Sequence, residues 1–240
     1  LPTTIVSEPE EPIRSELFSV ERLEGHAESL ASAQNVTNKL SPGHPLLPRI
    51  IENGRVLLNS CRAIARTIQE EKAITPAAEW LVDNFHIVDE QIREIYDDLP
   101  SGYYNKLPKL ASGHLQGYPR VVGVAWAFVA HTDSRFDPEV LRRFVTSYQR
   151  IQPLTIGELW AVAISLRVVL VENLRRLAVR IVRSRDARQE ADALADRLLG
   201  SDEQWSAGAA ATLQCSEKAS VETAFVVQLV QRLRDLDPKV

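Results

Sequence analysis

What constrains this chain most is a helical repeat that runs along most of its length and is broken once. Apolar residues return at spacings of three and four: Leu17, Val20, Leu23 and Leu30; then Leu47, Ile50, Ile51, Val56, Leu57, Ile64 and Ile68. The pattern resumes at Trp80, Leu81, Phe85, Val88, Ile92 and Ile95, and again at Val140, Leu141, Phe144, Val145 and Tyr148. That period puts one apolar stripe on each helix and leaves the opposite side for water. No stretch of six residues alternates convincingly with period two. Start signals agree. Thr75-Pro76 and Asp137-Pro138 each offer an N-cap oxygen followed by a proline preset for the first turn. Thr155-x-x-Glu158 is a capping box, and it opens an apolar helix expected to reach about Arg183, with a separate helix over Arg185 to Leu199 and Gly200 as its stop. The last helix is expected over roughly Glu217 to Leu233. The expected fold is all-α, a multi-helix bundle of antiparallel helical hairpins with one long ordered loop.

At 240 residues, 45% of them apolar, the chain is large enough to bury a real core. Residues 15–240 read as one helical domain with a possible sub-boundary near 184–200. Residues 1–14, acidic and carrying Pro2, Pro9 and Pro12, read as a flexible tail. The break is DDLPSGYYNKLPKLASGHLQGYPRV, Asp97 to Val121, with three prolines, three glycines and three tyrosines. Long loops in compact domains are functional or pack as surface units on their own side chains. Tyr103, Tyr104, Leu107, Leu110 and Tyr118 are expected to pin it across the helices. Trp80, Trp126 and Trp160 fall on apolar stripes and are expected in the core.

The chemistry is sparse. Net charge is −4, from 28 basic and 32 acidic side chains, so no overall positive field invites nucleic acid. Cys61 and Cys215 have no CxxC spacing and read as two free thiols. The five histidines show no HxxxH or HExxH pattern, so no metal set is expected. Asp97-Asp98 and Asp235-x-Asp237 follow helices rather than strands, which suits solvated helix ends better than a metal-diphosphate site. GxGxxG, GxxxxGK[ST] and GxSxG are all absent, so no catalytic residue is assigned. Two groups remain as candidate contacts. Tyr103, Tyr104 and Tyr118, with His131, Asp133 and Arg135, offer rings and polar groups to a sugar or a docking partner. Arg175, Arg176, Arg180 and Arg183 form a basic patch suited to lipid headgroups or an acidic partner domain. The longest uninterrupted apolar run, Val121 to Ala130, is short of the roughly 20 residues a membrane span needs. The first residues lack the basic and apolar regions of a signal peptide.

Three long strings carry more information: ITPAAEWLVDNFHIVDEQIREIYDDLPSGYYNKLPKLASGHLQGYPRV, AWAFVAHTDSRFDPEVLRRFV and YQRIQPLTIGELWAVAISLRVVLVENLRRLA. Over roughly Leu17 to Ala178 the chain resembles the N-terminal region of the cyclic β-1,2-glucan synthases, glycosyltransferase family 84. The resemblance implies a parent enzyme at the bacterial inner membrane, a multi-pass protein that polymerises glucose from UDP-glucose with a divalent metal, Mg or Mn. It implies that this piece lies on the cytoplasmic face and precedes the transferase domain. The family's Q-x-x-R-W string is not present here, so no catalytic residue carries over and no cofactor is expected in this segment. The expected role is a non-catalytic scaffold whose partners are the transferase domain of the same polypeptide and the inner-membrane surface. A glucan-binding module using the loop tyrosines is the alternative.

Overall fold

The computed structural model describes residues 11–37, 46–70, 73–99, 102–199 and 222–236. Residues 1–10 of the expected tail, Gly200, Cys215, Asp237 and the expected start of the last helix at Glu217 lie outside the described residues. The elements are α1 (Val20–Ala33), β1 (Val36–Thr37), α2 (Leu46–Gln69), α3 (Pro76–Asp83), α4 (Phe85–Asp98), a 3-10 turn (Tyr104–Lys106), β2 (Lys109–Leu110), α5 (Arg120–Thr132), α6 (Pro138–Ile151), α7 (Ile156–Leu199) and α8 (Thr223–Leu236). The fold is all-α apart from the two-residue ribbon of β1 and β2.

The buried stripe of α2 is Leu46, Ile50, Asn53, Leu57, Ser60, Ile64 and Thr67, an unbroken four-three alternation. That seven-residue repeat keeps one seam facing a partner along the whole helix. The partner is α7. Arg49 and Asn53 meet Glu172, while Ala63 and Thr67 meet Arg185, so the two helices run side by side in the same direction. Helix α5 runs alongside α7 the same way, Arg120 meeting Glu158 and Ser134 meeting Asn173. Helices α8 and α7 share that sense, through Gln228 with Asp192 and Arg232 with Asp196. Helices α3 and α4 return across this layer, with Asp98 near Arg167 and Trp80 beside Leu177. Helices α1 and α6 also pair in parallel, through Glu24 with Arg143 and Glu28 with Arg150, so antiparallel hairpins account for only part of the packing.

Local chemistry sets the boundaries. Ser19, Thr75 and Asp137 cap their helices through side-chain oxygens, the last two followed by proline at the first position. Asn84 divides what reads as one helix into α3 and α4. Its amide donates to the Trp80 carbonyl at 2.9 Å, a local bond that competes with the helical ladder. In the other direction, the two helices expected on either side of Ser184 are a single helix of 44 residues, about 66 Å long at 1.5 Å per residue. Beyond Ser184 its buried residues are Ala187, Ala191 and Ala195, spaced by four, which admit α8 closely.

Two further expectations are corrected. Trp80 and Trp160 are not core residues: they are 54% and 79% exposed. Glu11 to Arg14 is not a free tail either. Ile13 is buried, and its N–H donates to Asn173 Oδ1 at 2.7 Å. An apolar side chain with a cavity wall to fill docks whatever the composition around it. From residue 102 onward the long loop, by contrast, packs on the helices as expected. Tyr104, Leu107 and Leu110 are buried, and Tyr103 and Tyr118 pack against the core. The loop carries its own backbone bonds, Gly117 N–H to Leu110 O and Leu110 N–H to Tyr118 O at 2.9 Å each, and Ala111 N–H to Asn35 O at 2.8 Å. Gly102, Gly113 and Gly117 supply its left-handed bends at φ of 81°, 89° and 83°.

Candidate functional site

The heptad seam of α2 against α7 places polar groups where a plain core has leucine. Glu172 of α7 is buried, and both its oxygens are engaged. Oε1 accepts from Arg49 Nη2 (2.8 Å), Arg175 Nη2 (2.8 Å) and Arg176 Nε (2.9 Å), and Oε2 accepts from Arg49 Nε and Asn53 Nδ2, both at 2.9 Å. Burial alone would push this carboxyl up. The bonds from Arg49, Arg175 and Arg176 outweigh burial and hold it well below the usual carboxylate range. It is therefore ionised at every physiological pH and has no lone pair left for acid–base work. Beside it opens a cavity of about 390 Å³, walled by Arg49, Asn53, Glu172 and Arg176 on the polar side. Leu46, His114, Leu115, Tyr118, Val122, Trp126, Val168 and Val169 complete its lining.

A second cavity, of about 590 Å³, lies across the wall formed by His114, Leu115, Trp126 and Arg176, which line both. Its far side holds Ile13, His26, Gln34 and His131. Here the segment before α1 is strapped down. Ser15 N–H donates to Ala130 O (3.0 Å), Phe18 N–H to His131 O (3.2 Å), and Arg176 Nη1 to Glu11 O (2.8 Å). His131 lies 2.8 Å from the Glu16 carbonyl through Nδ1 and stacks on Phe18 with ring centres 4.0 Å apart. Burial, then the neighbouring His131, pushes the His26 imidazole below its ordinary range.

The candidate residues read from sequence do not form one site. Tyr103 donates to the Gly157 carbonyl at 2.5 Å, at the start of α7. Tyr104 is buried, its phenol pushed up to about 12 by burial, with the Ser165 hydroxyl acting the other way. Tyr118 lines the wall of the smaller cavity. His131 belongs to the larger cavity. Asp133 caps α5 in the left-handed conformation and pairs with Arg14 at 3.4 Å, and Arg135 lies exposed in the following turn. The basic patch divides as well: Arg175 and Arg176 turn inward onto Glu172, while Arg180 and Arg183 remain on the surface.

Sequence reasoning missed Asn53 and Arg49 altogether; the signal was the seven-residue spacing that Asn53 completes. It also missed Arg120, which is buried and clasps the capping-box Glu158 through Nε (2.8 Å) and Nη2 (2.6 Å). Cys61 is a free thiol, raised by burial. Among the described residues no three His, Cys, Asp or Glu side chains gather as a metal set. Nor is any helix among them long and apolar enough to cross a membrane.

No family model matches the chain. Among characterised proteins it aligns with the cyclic beta-(1,2)-glucan synthase NdvB of Rhizobium meliloti (strain 1021), at 40% identity over 226 residues. The alignment takes in 93% of this chain and 8% of the synthase. A pinned loop, a strapped N-terminal segment and a helical layer around α7 thus belong to a sequence that is similar, over nearly all its length, to one small segment of a cyclic β-1,2-glucan synthase.

Proposed function

We propose that this segment is a non-catalytic helical module in the N-terminal part of a membrane-bound cyclic β-1,2-glucan synthase, where it docks on the transferase domain of the same polypeptide. The observation that carries the reading is the alignment itself, which pairs 93% of this chain with 8% of a synthase. The side chains support a supporting role. The buried carboxylates Glu158 and Glu172 are both committed to arginines. In this reading UDP-glucose and its metal are handled elsewhere in the polypeptide.

The docking face is at the start of α7. Ile156, Leu159 and Trp160 lie on one side of the first turns, with Ile156 73% and Trp160 79% exposed, and Ile151 is exposed just before them. Tyr103 ties the long loop to the same turn through Gly157. Aromatic and aliphatic anchors grouped like this are what fill pockets at protein interfaces. Arg180 and Arg183, on the exposed side of α7, face the headgroups of the cytoplasmic leaflet in this arrangement. The test is the double variant Ile156→Asp, Trp160→Asp in the full-length synthase that carries this segment. Cyclic glucan made from UDP-glucose and enzyme recovered in membranes are measured separately. Glucan synthesis falls at least tenfold while membrane recovery holds; synthesis at the parental rate would overturn the docking face.

A further inference from the structure

We propose that His26 and His131 form a proton-operated latch on the segment before α1: while neutral, the two rings hold residues 13–18 against α5, and when protonated they release that segment. The rings of Phe18, His26 and His131 form a triangle. Their centres lie 4.0 Å apart for Phe18 and His131, 4.4 Å for the two histidines and 5.4 Å for Phe18 and His26. Each ring comes from a different part of the fold: Phe18 from the segment, His26 from α1 and His131 from the last turn of α5. The Glu16 carbonyl can only accept, so His131 Nδ1 carries the hydrogen of their 2.8 Å bond. His131 then has one more proton to take, at Nε2. That proton brings a full charge into a ring 4.4 Å from His26.

The charges facing the pair are already committed. From the segment, Glu16 accepts from Arg22 through both oxygens, at 2.6 and 2.9 Å, and Glu11 lies 3.7 Å from Arg180. From the turn after α5, Asp133 pairs with Arg14 at 3.4 Å. The loop brings His114 to the cavity that the pair lines, and α7 brings Arg176, both of them basic. The acids of α1 at Glu24 and Glu28, two residues either side of His26 and so on the other side of the helix, pair with Arg143 and Arg150 of α6. The face of Phe18 could steady an imidazolium, but Arg22 already lies over that ring at 4.4 Å. Burial, then the neighbouring His131, pushes His26 down. Its folded value lies below its unfolded value of about 6.5, so the stability from the neutral ring is complete above that pH and is lost as pH falls below it.

The segment is the part that yields. Helix α1 is anchored by buried Leu23, Ala27 and Ala31, and α5 is buried along most of its length. In the segment Ile13 is buried, Phe18 is half-buried and residues 14–17 are exposed. Stretches with so few buried contacts open before the rest of a fold. Release uncovers the cavity of about 590 Å³ that Ile13, Arg14 and Ser15 help to line.

The test is amide hydrogen exchange of the intact chain by NMR at pH 7.5 and 5.5. Rates at each pH are divided by those of an unstructured chain at the same pH, which removes the intrinsic acid dependence. The amides of Ile13, Ser15 and Phe18 report the segment, and those of Asn84 and Gln152, bonded to the ends of other helices, are controls. Histidine ring signals are titrated in the same samples. Segment protection is expected to fall about tenfold or more at pH 5.5, in step with the His26 and His131 ring signals, with the controls steady within about threefold. In the double variant His26→Gln, His131→Gln, whose amide at position 131 can still donate to the Glu16 carbonyl, protection is expected to stay level between the two pH values. No loss in the parent overturns the latch, as does an equal loss at the controls or the same loss in the double variant. If the double variant is unprotected at pH 7.5, His26→Phe keeps the ring packing without the second proton; an undiminished acid response there overturns the latch too.

Discussion

Replacing Glu172 by glutamine keeps its shape and removes its charge. In the native fold that charge balances Arg175 and Arg176, whose side chains are only 13% and 14% exposed, and the half-exposed Arg49. Breaking a buried pair by removing one partner costs about 3–5 kcal/mol, because the other partner's charge stays behind. Glutamine adds to this by turning an N–H₂ toward guanidinium and amide donors. In a chain of this size each kcal/mol moves the melting temperature by about 2–4 °C, so Glu172→Gln is expected to melt about 6–20 °C below the parent. Urea unfolding at pH 7, followed by circular dichroism, gives the free energy directly. The pH dependence gives a second check. The folded carboxyl titrates below its unfolded value, so the stability it contributes is complete above the unfolded value of about 4.3 and fades as pH falls below it. The gap between parent and variant is therefore full at pH 6–8 and narrows as pH drops from 4 toward 2. A loss under about 1 kcal/mol at pH 7 would put Glu172 in the class of surface pairs and refute the reasoning. So would a gap that does not depend on acid.

Other changes probe separate links. Arg120→Leu strands Glu158, which is wholly buried at the start of α7, and is expected to cost about 3–5 kcal/mol in urea unfolding. Gly54→Ala is expected to stabilise by about 0.5–1 kcal/mol: the added methyl would sit 3.5 Å from Ile92, an ordinary contact, and alanine is the better helix former. Tyr103→Phe removes the bond to the Gly157 carbonyl and should cost about 0.5–1.5 kcal/mol, with hydrogen exchange rising first in the loop. Trp160→Ser, at a side chain 79% exposed, leaves the melting temperature within about 2 °C, since surface changes rarely exceed about 0.5 kcal/mol.

How far the sequence could be read depended on whether each cue was local. Caps and loop anchors were legible because Thr75, Asp137 and Tyr104 act on neighbouring backbone or one adjoining face. The α2 seam was only half legible. A search for apolar residues finds Ile51 and Ile68, which are exposed, and passes over Asn53, Ser60 and Thr67, which are buried. Asn53-Gly54, a dipeptide common at hairpin turns, lies inside that helix because the seam on either side of it holds. The join at Ser184 was hidden because α7 changes from bulky apolar contacts to an alanine seam there, while the backbone continues. Trp80 and Trp160 show the opposite failure. Spacing fixes the side of a helix, but which sides are covered depends on elements far away in sequence. The pairing of α2 with α7, and with it the Glu172 centre, rests on contacts more than 100 residues apart, as between Arg49 and Glu172. No local pattern encodes them.

The uninterrupted length of α7 has a mechanical implication. From Glu172 to Ala195 is about 35 Å along the axis at 1.5 Å per residue. A continuous helix with no proline transmits tilt much as a rod does, so a rotation of about 5° pivoting at the arginine clasp would carry the α8 end sideways by about 3 Å. Paired spin labels at positions 163 and 196, each measured against α1, would register that as opposite distance changes at the two ends. Whatever presses on the first turns of the rod is felt at its far tip.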